Sequence, residues 1–243
     1  MSILEISNLS LSFGGVKALQ DVSFQVPENT VTTIIGPNGA GKTTVIDAIT
    51  GLVPASGSVN KSGVELLGKK VHQIARRGIG RTFQTASVFE ELSVLQNLDI
   101  AAGAGRSVWT MLRRRHGVLP AIEQALHTIG LTKLADQPAG ILAHGQKQWL
   151  EIGMLLMQKP RLLLVDEPTA GMNPEERADI GERLRKLRDD LGLTILLIEH
   201  HMQLAIGLAD RVLALNFGRP IALGPPDEVQ SHPEVVKAYL GDG

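Results

Sequence analysis

The stretch Gly36-Pro37-Asn38-Gly39-Ala40-Gly41-Lys42-Thr43 constrains this chain more than any other. It fits G-x-x-x-x-G-K-[ST], and its surroundings suit the pattern: Val31-Thr32-Thr33-Ile34-Ile35 before it has the length and β-branched content of a strand, while Val45, Ile46 and Ile49 after it share one helix face. Between a strand and a helix, such a loop can curl so that successive backbone N–H groups aim at phosphate oxygens, and the helix adds its positive dipole end. Gly36, Asn38, Gly39, Ala40, Gly41 and Thr44 are accordingly expected at a nucleotide triphosphate. Lys42 should reach its β- and γ-phosphates, and the Thr43 hydroxyl should ligate Mg²⁺.

A second apolar run, Leu162-Leu163-Leu164-Val165, leads into Asp166-Glu167, and Pro168 ends it because proline cannot donate to a ladder. Two acids at the end of a buried strand, in a chain that already holds a phosphate loop, divide naturally between two tasks. Asp166 is expected to hold Mg²⁺ and Glu167 to orient and polarise the water that attacks the γ-phosphate. A third run, Ile195-Leu196-Leu197-Ile198, ends in Glu199-His200-His201. Adjacent histidines on a strand point to opposite faces, one toward the nucleotide and one outward, so they cannot both serve one site and are poor chelators of a single metal.

Helical periods separate these runs. Ile180, Leu184, Leu187 and Leu191 lie on one face between the second and third, which makes that stretch a βαβ crossover in a parallel sheet. Ile122, Leu126 and Ile129 repeat the pattern, as do Leu150, Met154 and Met157, so the segment from about Leu95 to Met157 reads as a helical insertion. Val22-Ser23-Phe24-Gln25-Val26 alternates as a half-buried strand does, and the first thirty residues read as antiparallel sheet. The tail from Gly218 reads as turn-rich, with one short helix before Gly241.

Composition removes other classes. In 243 residues, 43% are hydrophobic and 20% charged, and Lys+Arg 24 nearly cancels Asp+Glu 25, which is ordinary for a globular chain and gives no general reason to bind nucleic acid. The run Arg113-Arg114-Arg115-His116 is a local exception that reads as a solvated helix face. With Cys 0 there is no disulfide and no thiolate chemistry. No apolar run approaches the roughly 18 residues needed to span a bilayer, and Glu5 stands where a secretion signal would be basic, so the expected place is the cytosol, with any membrane contact made through a partner.

One further element separates this chain from other P-loop ATPases. Leu142-Ala143-His144-Gly145-Gln146 resembles the LSGGQ signature of ABC transporter nucleotide-binding subunits, and it stands downstream of the phosphate loop and upstream of Asp166, as in that family. The resemblance spans nearly the whole chain. It implies an α/β fold with a RecA-like P-loop NTPase core plus an antiparallel β subdomain (residues 1–94 and 158–243) and a helical subdomain (about 95–157). It also implies roles: Phe13 stacks on adenine, Gln84 touches Mg²⁺ and the attacking water, and His200 contacts the γ-phosphate. Ala143, His144, Gly145 and Gln146 would cover the ATP held by a second subunit, identical or paralogous, in a head-to-tail dimer docked on transmembrane permease subunits at the inner face of the cell membrane. A solute-binding protein would act indirectly.

Some positions depart from the pattern. Ala143 and His144 replace a common serine and glycine, Asn173 stands at a frequent aspartate, and so does His201. Within the family, Ile79 to Gln84, Val88-Phe89-Glu90 and the ending Val235 to Gly241 resemble the ATPases of branched-chain amino-acid importers. The stretch His144 to Met154 resembles the urea-uptake members more, while Thr169 to Pro174 leans back to the amino-acid branch. Urea or a short-chain amide is therefore the first expected solute and branched-chain amino acids the second. Val88 and Phe89 mark the expected groove for a permease helix. A soluble ABC ATPase acting on DNA or ribosomes would carry two cassettes or an inserted coiled coil, and a P-loop kinase would have no use for Leu142 to Gln146.

Overall fold

The computed structural model describes residues 1–83, 85–103, 118–169 and 172–240. Gln84, the run Arg113 to His116, Ala170, Gly171 and Gly241 lie outside the described residues. The chain divides into two compact units, Met1–Arg81 with Arg161–Gly243, and Thr82–Pro160.

In the first unit, β1 (Ser2–Phe13) pairs antiparallel with β2 (Val16–Pro27) and with β4 (Ser56–Lys61), which pairs with β5 (Val64–Glu65). Alternation along β2 places Val22, Phe24 and Val26 inside and their neighbours outside, as the sequence period requires. A second, six-stranded sheet among the described residues has the order β10-β9-β3-β8-β7-β6. Here β3 is Val31–Ile35, β6 Ile79–Arg81, β7 Leu162–Asp166, β8 Thr194–Ile198, β9 Arg211–Asn216 and β10 Arg219–Gly224.

Strands β6 to β9 and β3 run parallel, and β3, β7 and β8 are buried along their whole length, which is why they read as continuous apolar runs. Period two splits the sheet between two cores. Ile34, Leu213 and Leu215 pack on one side with α1 (Lys42–Ile49), whereas Ile35, Val212 and Ala214 pack on the other with Val229, Val235 and Tyr239. The crossover helix Pro174–Leu191 joins β7 to β8, which pair directly. Its Ile180, Leu184 and Leu187 are buried, but Leu191, expected on that face, is 40% exposed because it is the last helical residue.

The tail differs from expectation. Arg219–Gly224 is a strand paired antiparallel with β9, and two helices follow, Pro226–Gln230 and Pro233–Leu240. Proline at Pro220 and glycines at either end hide a strand that sits at the sheet edge, where a missing donor is tolerated.

The second unit is helical among its described residues: Val94–Gly103, Pro120–Thr128 and His144–Leu156, with short 3₁₀ turns at Thr132–Leu134 and Ala139–Ile141. Ile122, Leu126, Ile129 and Leu150 supply its core. Gly153 lets the last helix come within reach of Ile129 and Leu98, since a Cβ there would meet Ile129 Cδ1 at 2.7 Å.

Candidate functional site

The phosphate loop leaves β3 at Gly36 and enters α1 through Gly41, whose φ of 98° is the left-handed conformation that caps the helix without a side chain. Lys42 is only 5% exposed, and its Nζ donates to the Gly36 carbonyl at 2.8 Å and the Pro37 carbonyl at 3.1 Å. Burial lowers its pKa, and the carboxylates of Glu167, Asp166 and Glu199 oppose that shift. A lysine folded back on its own loop, facing three acids, is poised for a polyanion that would displace the two carbonyls. Asn38 and Gly39 are exposed, Ala40 is buried, and Thr43 and Thr44 are half-buried.

The loop is bolted from behind by the β9–β10 hairpin. Gly218 N–H donates to the Ala40 carbonyl at 2.9 Å, and its own carbonyl accepts from Gln20 N–H at 2.8 Å. Gly218 has φ 73°, and a Cβ there would stand 2.3 Å from the Ala18 carbonyl oxygen. Gly218→Ala is expected to lower stability by about 2–4 kcal/mol, combining left-handed strain with a backbone clash, and a denaturant titration of the nucleotide-free chain measures it.

Asp166 ends β7 at 2% exposure. Burial raises its pKa to about 6, with Arg81 pulling it down, Glu167 and Asp47 pushing it up, and the Thr43 hydroxyl hydrogen-bonded to it. The two oxygens expected to serve Mg²⁺ are thus already adjacent, and an anionic carboxylate beside a hydroxyl is the hard donor set that this cation prefers. Arg81 holds the arrangement: its guanidinium lies 2.7 Å from Asp47, donates to Thr50 Oγ1 at 2.9 Å and reaches to 3.7 Å from Asp166.

Glu167 follows in the left-handed region, φ 46°, while its N–H is secured by the Ile198 carbonyl at 3.0 Å. A non-glycine residue held there stores strain, a common feature of catalytic positions. Its Oε2 lies 3.9 Å from His200 Nδ1.

Beta strand β8 stops at Ile198, so the expectation of histidines on opposite faces fails: the rings of His200 and His201 come together, centroids 4.0 Å apart. The cause is Glu199, fully buried, whose Oε1 accepts the N–H groups of His200 (2.9 Å) and His201 (3.0 Å) and whose Oε2 accepts the Thr169 hydroxyl at 2.7 Å. Folding the backbone around that carboxylate ends the strand. Donor atoms of Glu199, His200 and His201 lie within 4.8 Å of one another. Yet both Glu199 oxygens are committed to neutral donors, and the Arg177 guanidinium stands 3.2 Å from His201 Nδ1, so the cluster orients side chains rather than chelating a cation. Burial, then His200, lowers the His201 pKa, matching a neutral ring that accepts from Arg177.

Lys42, Thr43, Asp166, Glu167 and His200 are therefore brought together at the carboxyl ends of three neighbouring parallel strands. Phe13 is 51% exposed at the turn joining β1 and β2. Leu142 is buried, Ala143 and His144 are exposed, and Gly145 and Gln146 are half-buried where the helix His144–Leu156 begins. Ala143 has no side-chain acceptor, so only the return half of a capping box forms, Ala143 N–H to Gln146 Oε1 at 3.0 Å. Gln84 lies outside the described residues.

Sequence reasoning missed Glu199, Arg81 and Asp47. Glu199 carried a readable signal, since it follows a buried apolar run just as Asp166 does; Arg81 and Asp47 meet only in three dimensions.

The hydroxyl of Tyr239, on the helix Pro233–Leu240, is also buried here. The backbone N–H of Gly36 and the charge of Glu199 act on it, and its burial raises its pKa to about 12.

Comparison with known proteins fits this geometry. The ABC transporter family model matches residues 19–170, and a second, described as branched-chain amino acid ATP-binding cassette transporter, matches residues 219–243. The chain is 41% identical over 252 residues to the high-affinity branched-chain amino acid transport ATP-binding protein BraF of Pseudomonas aeruginosa, covering 99% of this chain and 98% of that protein. It is 37% identical to LivG of Escherichia coli, of the same description, with the same coverage. Among solved structures, the ADP conformation of MJ1267, an ATP-binding cassette of an ABC transporter, superposes with a TM-score of 0.86 at 35% identity over 100% of both chains.

Proposed function

The chain belongs to the ABC transporter family of ATP-hydrolysing subunits, and from that premise we propose that it powers a branched-chain amino-acid importer. The observation that carries this reading is the agreement of whole-length relatives with a match confined to residues 219–243, both pointing to branched-chain transport. The preference for urea rested on His144 to Met154 alone, and these comparisons favour the second solute over it. No described helix is long and apolar enough to cross a membrane, so permease subunits would supply the path, with a solute-binding protein beyond them.

In the proposed cycle the Gly36 to Thr43 loop binds ATP and Lys42 leaves its two carbonyls for the β- and γ-phosphates. Thr43 and Asp166 would hold Mg²⁺, which neutralises phosphate charge when bound. Glu167 draws the proton from the attacking water, and His200, 3.9 Å from it, steadies the γ-phosphate. Phe13 stacks on the base, Gln84 touches the water, and Ala143 to Gln146 close over the nucleotide of a partner cassette. Residues of about 95–157 would serve as the helical subdomain.

Reconstitution of the complete transporter with its permeases and binding protein in vesicles tests the solute. Leucine should stimulate ATP hydrolysis about tenfold, as for a differential affinity near 1.4 kcal/mol, while urea should leave it at the basal rate. Stimulation by urea and not by leucine overturns the assignment.

A further inference from the structure

The helix that begins at His144 carries a carboxylate in an unusual place. Glu151 is 4% exposed, with Leu150 and Ile152 buried beside it. One oxygen, Oε1, accepts the Ser87 N–H at 3.2 Å, and the Phe83 N–H is a second backbone donor to the carboxyl. The other oxygen, Oε2, is buried with no hydrogen-bond partner. Burial pushes this carboxyl up to about 7 against the pull of those two N–H groups, so the chain keeps the acid at a cost. A packing role alone would be served better by an apolar residue of the same size.

What the carboxyl gains is a grip on the backbone N–H groups of Phe83 and Ser87. Phe83 and Ser87 flank position 84 in the sequence and lead into Val88 and Phe89. Further along, a second buried polar side chain does similar work: Asn97, fully buried, accepts the Phe89 N–H at 2.8 Å and donates to the Phe89 carbonyl at 3.0 Å. Lys147, one turn before Glu151, is spent on Glu90 at 2.5 Å. Phe83 and Ser87 on one side and Glu90 on the other are therefore attached to the signature helix.

We propose that Glu151 is a positioning residue for hydrolysis: its carboxyl pegs the backbone at Phe83 and Ser87 to the helix that starts at the signature, so that both are displaced together. The inference rests on the ATPase reading above and adds a residue to it. Movement of these residues, which the importer reading places against the permease, is then transmitted to His144 to Gln146 with Glu151 as the buried link and the Lys147–Glu90 pair as the exposed one.

The test uses the full-length chain without nucleotide for hydrogen exchange and with ATP for kinetics. In Glu151→Ala, a peptide spanning 83–89 should exchange about tenfold faster while peptides of Val31 to Ile49 keep their protection. The kcat should fall about threefold to tenfold with KM for ATP unchanged, because the peg touches no phosphate. Glu151→Gln keeps an acceptor for Ser87 and should restore both values. Ser87→Pro deletes the same bond from the segment side, leaves the helix untouched, and should reproduce the Glu151→Ala result. Unaltered exchange at 83–89 in Ser87→Pro, or failure of Glu151→Gln to rescue, overturns the proposal. A failure of the importer reading would instead appear only in the vesicle assay, with these exchange differences intact.

Discussion

Glu167→Gln leaves ATP bound and lowers turnover by about 10²–10⁴-fold, the usual worth of a positioned general base. The substitution is nearly isosteric, so the left-handed backbone at φ 46° and the bond from its N–H to the Ile198 carbonyl persist. What disappears is the acceptor for the water's proton. Because Asp166, Thr43 and Lys42 are unaffected, nucleotide affinity should stay within about threefold of wild type, less than 1 kcal/mol. Single-turnover phosphate release together with equilibrium ATP binding separates the two quantities. Release at the wild-type rate removes Glu167 from the role of base.

Lys42→Met, which keeps an unbranched apolar stem but loses the ammonium, should weaken binding of a non-hydrolysable ATP analogue by about one to two orders of magnitude, the scale of a lost charge-assisted contact. The resting structure supplies a second consequence. Lys42 is the cation set against Asp166, Glu167 and Glu199, and it occupies the Gly36 and Pro37 carbonyls. Its removal leaves those carbonyls without their donor, at about 1–3 kcal/mol for a buried group, so the empty protein should also melt at lower temperature. Calorimetric titration and a thermal melt of the same sample check both. Unchanged analogue affinity would contradict the placement of phosphate at this loop.

Much of this was legible because strong local signals coincide with strong global requirements. Buried parallel strands must be continuously apolar, so Leu162 to Val165 and Ile195 to Ile198 announced themselves, and their carboxyl ends located Asp166 and Glu167. Short edge elements carry weaker marks. Strand β10 contains Pro220 and half-buried side chains, and only its pairing with β9 makes it a strand. The histidine pair went wrong for a related reason. Period-two reasoning assumes that the strand continues, whereas the buried carboxylate of the very next residue, Glu199, captures the following two N–H groups and turns the chain. Arg81 with Asp47 and Glu151 with Ser87 join residues far apart in sequence, and no periodicity reports such meetings.

Tyr239 is the only tyrosine in the 243 residues, and its phenol lies beside the first glycine of the phosphate loop. The protein thereby carries a native chromophore of its kind at one known spot. Ultraviolet difference spectra and ring resonances from an unlabelled or tyrosine-labelled sample report on the loop's entrance without any engineered probe. The same placement makes the last helix a reporter on the loop, since trimming the chain before residue 239 would remove both that signal and the phenol beside the Gly36 N–H.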